Sequence, residues 1–320
     1  DNQVNLVGSI QCPYYVKNAV ISILGCEEDH VRVIQSTVGG AFGGKEEFPS
    51  LMACQLAVAV KKIGRPIKMI YEREEDMAVT TKRHPSKIKL TASIDKKHHI
   101  LGVKAHVSLD SGAYIGLSGV VLSRAMIAST DAYTIDNLDV SGDVYETNTV
   151  PNGAFRGFGA PQMIFAFEMF MNHIAKELDV DPLSFRLAHL AKQNDLTSTS
   201  GKFRDPIIME EMLQKAMKES GYVEKVKRYK EDKTYKGIGM SWFLHGCGFT
   251  GSGEAEHINA VVKLEKDSLD NVEILIKAGA NALKIEGADG NEELYAHLSQ
   301  SGIPAIGHIG LTPSHHNAIG

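Results

Sequence analysis

Residues 88–109 carry the pattern that most narrows the possible folds. Ile88, Leu90, Ala92 and Ile94 alternate with polar neighbours, and the alternation resumes through Leu101, Val103, Ala105, Val107 and Leu109. A period of two places these side chains on one face of two strands, joined at a polar, exposed tip over 95–99. That face needs partners, and nearby segments supply them. Residues 48–62 read as a helix that Gly64-Arg65-Pro66 ends. Ile164, Phe167, Met171, Ile174 and Leu178 recur every three or four positions, forming one apolar helix face. Asp181-Pro182 is an N-cap and first-turn pair for another helix, running to about residue 193. Met209, Met212, Leu213, Ala216 and Met217 mark a further helix, whose methionine stripe reads as a core face. Residues 31–36 read as a strand, 67–72 as a buried strand, and the texture becomes strand-like again over 237–276. The mixture implies an α+β fold.

The composition removes several classes of function. The 320 residues suffice for two domains at ~100–200 residues each. Hydrophobic residues make up 43% and charged residues 23%, ordinary globular usage that argues against disorder. A net charge of −5 leaves no basic nucleic-acid footprint. The charge-dense run at 225–236 is interrupted by Glu231 and Asp232, so it reads as a solvated helix end or linker. No apolar run approaches the ~20 residues that span a bilayer. The N-terminus lacks a signal-peptide pattern, and a start at Asp1 rather than Met suggests a fragment. Cys12, Cys26, Cys54 and Cys247 form no CxxC pair, so reduced cysteines in a cytoplasmic protein are expected.

Two loops carry the chemistry. Residues 39–47 read GGAFGGKEE, where glycines on both sides of Phe42 let backbone approach a ligand closely. Lys45 is followed by Glu46, so the spacing is not that of a Walker loop. Residues 154–162 read AFRGFGAPQ, where aromatic faces and a guanidinium could hold a flat or anionic group. By composition alone either loop could equally be a packed turn.

Together, in this order, the loops resemble the molybdenum hydroxylase family, most closely the molybdenum-binding large subunit of xanthine dehydrogenases. Supporting stretches are Gln11-Cys12-Pro13-Tyr14, REEDM at 73–77, Lys82-Arg83-His84-Pro85, Asp110-Ser111-Gly112-Ala113-Tyr114 and FLHGCGFTGSG at 243–253. The resemblance covers about residues 1–275 and implies a fragment of a molybdopterin-binding xanthine dehydrogenase/aldehyde oxidase-type domain. The implied activity is hydroxylation of a purine, related heterocycle or aldehyde, with oxygen from water. The implied cofactor is molybdenum–molybdopterin, its cytosine dinucleotide form remaining open, held by a pterin dithiolene rather than by side-chain ligands. Partner chains would carry 2Fe-2S clusters and FAD, since no cysteine spacing here fits a cluster.

The resemblance also implies site residues. Phe42, Gly43, Ala154, Phe155 and Arg156 match cofactor-contacting positions. Glu46 matches a carboxylate that contacts purine substrates, although a helix N-terminal acid favoured by the dipole explains it equally. Arg124 matches an arginine facing negative charge that grows on the heterocycle. Phe158 matches an aromatic that stacks on substrate, and Phe249 the opposite wall. Glu46 with Arg124 favours a purine over a simple aldehyde. His245-x-Cys247 is a half-site with no second pair and reads as structural.

Three family motifs are not found in this sequence: the glutamine-bearing loop near the metal, a GQG-type loop, and the glutamate base. From about residue 277 the chain instead resembles ketopantoate hydroxymethyltransferase, a (β/α)₈ barrel, as one β-α-β unit over 282–308. Lys284, Glu286 and His308 match active-site positions there, but one unit of eight makes no barrel site. The expected division is thus 1–236, first part of a molybdopterin-binding domain; 237–276, start of a second; and 277–320, a foreign tail. A non-catalytic remnant or chimeric scaffold is the rival class.

Overall fold

The computed structural model describes residues 3–203, 206–232 and 235–245, and further on 283–286, 296 and 305–308. Contacts divide the chain into two compact units, Asp1–Glu254 and Ala255–Gly320. This division falls between the expected boundaries at 236 and 277.

The first unit begins with a parallel crossover. Strand β1 (Val4–Gly8) passes through helix α1 (Pro13–Leu24) to strand β2 (Val31–Gln35), with Val4 opposite Val31. Pro13 opens α1 and Gly25 closes it in the left-handed conformation, its N–H donating to the Ile21 carbonyl. Helix α2 (Pro49–Ile63) is built alike, closed by Gly64 at φ 68°. Val16 and Val20 of α1 pack with Ala53 and Ala57 of α2 against Val4 and Val31. The small alanines let the two helices approach closely.

The expected hairpin is present. Strand β3 (Ser86–Ile94) pairs antiparallel with β4 (Ile100–Gly112). Val103, Ala105, Val107 and Leu109 are buried, as their alternation requires, but Leu101, expected on the same face, is 50% exposed beside the register shift between Ser93 and Ile94. A second parallel crossover follows, through helix α4 (Ser118–Ile127) to β5 (Leu138–Glu146), giving the sheet order β3-β4-β5. Helix α5 (Ala160–Glu177) packs across this sheet through Met163, Phe167, Met171 and Ile174. Full burial of each such side chain contributes about 1.5–3 kcal/mol. Helix α6 (Pro182–His189) starts with the Asp181 carboxylate accepting the Ser184 N–H at 2.8 Å. Helices α7 (Met209–Ser220) and α8 (Tyr222–Glu231) follow, and α8 carries the charge-dense run.

Four expectations need correction. Residues 67–72 are extended but pair with no strand among the described residues, and Ile70 is 68% exposed. These residues alternate between half-buried and exposed, so the segment is not the fully buried strand expected, and the next turn is helix α3 (Arg73–Val79). Residues 237–245 form no strand; the rest of that stretch lies outside the described residues. Helix α6 stops at His189 rather than 193, where the Thr134 N–H donates to the His189 carbonyl. In α7, Met209 and Leu213 are buried but Met212 and Ala216 are exposed, because only the side carrying Met209, which joins the cluster of Phe167 and Phe185, and Leu213 is covered.

In the second unit, strands β6 (Leu283–Glu286) and β7 (Ala305–His308) pair in parallel, with Glu286 opposite His308.

Candidate active site

The two loops singled out in the sequence share one backbone device. After β2 the chain turns through Gly40, Phe42 at φ 52° and Gly43 at φ 94°. Before α5 it turns through Gly157, Phe158 at φ 51° and Gly159 at φ 91°. A left-handed phenylalanine costs about 1–3 kcal/mol and persists only where its surroundings fix it. In the first loop the Gly44 N–H donates to the Ala41 carbonyl at 2.9 Å, and the Gly43 N–H donates to Gln11 Oε1 at 3.0 Å. In the second the Phe158 N–H donates to the Phe155 carbonyl at 2.7 Å.

Glycine is required where the loops meet. A Cβ on Gly43 would lie 2.6 Å from the Ala154 carbonyl carbon, so the loops touch backbone to backbone. A Cβ on Gly159 would lie 2.1 Å from the Val121 carbonyl oxygen, which seats the second loop on α4.

Glu47 joins all three elements. Its carboxylate accepts the Leu117 N–H at 2.8 Å and the Ala154 N–H at 3.4 Å. Gly116 and Gly153 leave room for it, since a Cβ on either would approach a Glu47 oxygen to 2.6–2.7 Å. Burial raises the Glu47 pKa above the ordinary carboxylate value, and the two N–H donors oppose that rise.

The result is a cleft of about 300 Å³. Phe42, Gly43 and Glu46 line it from the first loop, Phe155, Arg156 and Phe158 from the second, and Arg124 from α4. Ala154 is buried behind the lining and acts through its backbone. Phe249 lies outside the described residues. Lys284, Glu286 and His308 are placed only by backbone, on β6 and β7 of the second unit. Gln11, Gly157 and His245 also line the cleft. Gln11 and His245 stand in the quoted stretches QCPY and FLHGCGFTGSG, but nothing in their local spacing marked them as cleft residues. Among the described residues, no group of three His, Cys, Asp or Glu is gathered as a metal site.

The cleft holds opposed charges. Arg124 is only 6% exposed, and its Nη2 is buried without a hydrogen-bond partner among the described residues. Burial lowers its pKa, while the charge of Asp131 opposes that shift. Burial pushes the Asp131 carboxyl up to about 7, against the lowering effects of the Leu244 N–H and Arg124. Glu46 is raised by burial and then by neighbouring Glu47. Burial and both glutamates push the Cys12 thiol up to about 11, so it stays protonated at neutral pH. The Arg156 guanidinium sits 5.6 Å from the centre of the Phe42 ring, and that of Arg83 sits 4.6 Å from the Phe155 ring.

The sequence profile of the molybdopterin cofactor-binding domain matches residues 1–190. The chain belongs to this family. The nicotinate dehydrogenase large molybdopterin subunit of Eubacterium barkeri is 32% identical over 216 residues, covering 68% of this chain and 50% of that protein. A xanthine dehydrogenase of Emericella nidulans is 30% identical over 240 residues, covering 74% of this chain and 17% of that protein. The aldehyde oxidoreductase of Desulfovibrio desulfuricans superposes with a TM-score of 0.67 at 29% identity, covering 73% of this chain and 25% of that one. The chain thus spans half the length of the first relative and about a sixth of the second. A second profile, ketopantoate hydroxymethyltransferase, matches residues 259–320.

The cleft suits a molybdopterin cofactor. Glycine at 43 keeps the loop backbone free of a side chain where the two loops meet. Phe42, Phe155 and Arg156 offer flat faces, and the unpartnered nitrogen of Arg124 is a buried donor that requires an acceptor.

Proposed function

We propose that the first unit is part of the cofactor-binding region of a molybdenum hydroxylase that acts on a purine or related nitrogen heterocycle, within a larger enzyme. The observation that carries this reading is the convergence of Phe42, Glu46, Arg124, Arg156 and Phe158 from three distant stretches on one cleft. The likeness to xanthine and nicotinate dehydrogenases supports it.

In this reading Phe42 and Gly43, with Ala154, Phe155 and Arg156, hold the cofactor. When bound, that group supplies oxidation of a ring carbon, with oxygen drawn from water. Phe158 presents an aromatic face to the heterocycle. Arg124 faces the negative charge that grows on the ring as it reacts, and its burial strengthens the effect. Glu46 accepts a ring N–H and so orients the substrate. Partner subunits with 2Fe-2S clusters and FAD complete the assembly, which we place in the cytoplasm.

The second unit takes no part. The parallel β6–β7 pair fits one β-α-β unit, and a barrel site needs strand ends from several.

The test is a hybrid in which residues 3–245 replace the equivalent stretch of the Emericella xanthine dehydrogenase. Purine turnover is expected, with kcat/KM falling about a hundredfold in Glu46→Ala and in Arg124→Ala. Unchanged purine turnover in both variants would sink the site assignment. A folded hybrid that retains no molybdenum favours the scaffold reading.

A further inference from the structure

The backbone of residues 240–244 makes no backbone–backbone hydrogen bond among the described residues. Two carboxylates take its N–H groups instead. The Leu244 N–H donates to Asp131 Oδ2 at 2.8 Å, and the Trp242 N–H donates to Glu168 Oε2 at 3.2 Å. Trp242 and Leu244 are half-buried against the cluster of Tyr133 and Phe167. The residues between and after them turn outward. Phe243 is 57% exposed, and with His245 it lines a hollow of about 390 Å³ beside Phe165 and Met169 of α5. His245 also lines the cleft, so this segment borders both spaces.

The two tethers differ. Glu168 is buried and its charge is compensated, with Arg186 Nε donating at 3.1 Å and the Tyr133 hydroxyl at 2.5 Å. Asp131 stands at a left-handed φ of 46°, and among the described residues its carboxylate accepts only the Leu244 N–H. An ionised Asp131 is therefore desolvated with no cation in contact. Breaking the Leu244 bond would let water reach it.

We propose that residues 241–245 are a strap on the cleft wall, held fast at Trp242 by Glu168 and releasably at Leu244 by Asp131, and that loss of the Asp131 proton frees the Leu244–His245 end. This concerns the regulation of the site described above and rests on the functional reading only for what the cleft holds. The strap itself can be tested without cofactor or substrate.

The charged groups that face Asp131 are Arg124 of α4, which favours its ionised form, and Glu168 of α5, which opposes it. Burial outweighs both and pushes the closed-strap carboxyl up to about 7. Once open to water the group returns towards the ordinary 3.8. Between those values opening releases a proton, so the open fraction rises by up to about tenfold per pH unit and levels off above about pH 7.

The experiment is hydrogen–deuterium exchange of the full chain from pH 5 to pH 8, corrected for intrinsic exchange and resolved to single amides by fragmentation mass spectrometry. Protection of the Leu244 amide should fall by about tenfold or more between pH 5 and pH 7 and then level off. The Trp242 amide should keep its protection, and the Val107 amide, inside the β3-β4-β5 sheet, reports opening of the whole fold. Asp131→Asn keeps an acceptor but cannot ionise, and should hold Leu244 protection flat across the series. Leu244 protection that ignores pH in the parent overturns the proposal. So does the same fall in Asp131→Asn, an equal fall at Trp242, or protection equal to that of Val107 at every pH, which would mean that the segment opens only with the whole fold. If Asp131→Asn does not fold, the three parent amides decide alone. None of these results touches the hybrid-enzyme test of function.

Discussion

The Glu47 carboxylate accepts the N–H of Leu117, seventy residues further along the chain, at 2.8 Å. A second bond from the Ala154 N–H makes this one side chain the tie between both loops and α4. Glu47→Ala strands two backbone donors, each worth about 1–3 kcal/mol if left unpaired. The variant should lose about 2–4 kcal/mol in urea unfolding, and Glu47→Gln less, because its amide keeps one acceptor. A Glu47→Ala loss below about 0.5 kcal/mol would remove Glu47 from this role.

Gly43→Ala should be far more damaging than Gly39→Ala. Gly43 has φ 94° and an added Cβ would meet the Ala154 backbone at 2.6 Å, whereas a Cβ on Gly39 meets nothing within 4 Å. The expected result is a melting temperature lowered by several degrees in the first variant and within about one degree of the parent in the second. Equal melting temperatures would show that the loops do not touch here.

His84 should make the chain acid-sensitive. Its ring is buried and bonds Ser118 Oγ at 2.7 Å through Nε2, and burial pushes its pKa down to about 4. The unfolded chain therefore binds a proton near pH 6.5 that the folded chain refuses until about pH 4. Stability rises with pH through that window, by at most about 3 kcal/mol at 1.36 kcal/mol per unit. Urea midpoints from pH 4 to pH 7 should climb in the parent and climb less in His84→Gln.

Asp131 should act with the opposite sign. Its folded carboxyl titrates at about 7, above the ordinary 3.8, so the folded chain keeps a proton that the unfolded chain has released. That contribution is fully present at low pH and is lost as pH rises towards 7. Asp131→Asn retains an acceptor for the Leu244 N–H but cannot ionise. It should be more stable than the parent at pH 8, with the advantage vanishing near pH 4. A constant difference across the series would contradict the raised pKa.

Glu168 should be intolerant of truncation. Its carboxylate accepts from Tyr133 at 2.5 Å, Arg186 Nε at 3.1 Å and the Trp242 N–H at 3.2 Å. Glu168→Ala leaves the buried Arg186 guanidinium without its ion partner, at a cost of about 3–5 kcal/mol. Trp242 is the sole tryptophan of the chain, so its emission reports release of that segment directly.

Some of this arrangement was legible in the sequence. The β3–β4 hairpin follows from alternation at 88–109, and the α6 start from Asp181-Pro182, because each depends on neighbours in the chain. β5 also alternates, through Leu138, Val140 and Val144, but Gly142 interrupts the pattern. Glycine stands there because a Cβ would lie 2.6 Å from Leu122 and 2.9 Å from the Val107 carbonyl oxygen, a contact no local window contains. Glu47 was illegible for the same reason: in GGAFGGKEE it looks like a second surface acid, and its partners lie 70 and 107 residues away. Glu46 and Arg124 were named through family likeness, while the cleft that gathers them is a property of the folded chain.

Those separations have a consequence for the order of events during synthesis. The crossover β1-α1-β2 closes between residues 4 and 35, so its pairing is available as soon as β2 has left the ribosome. Glu47 must wait for Ala154, and closing so long a loop is entropically unfavourable until β4, α4 and β5 have bridged the gap. Scaffold precedes cleft in this chain. During that interval the glycine-rich loop is present as polypeptide without a cleft to receive cofactor, and cofactor loading can only follow emergence of the second loop.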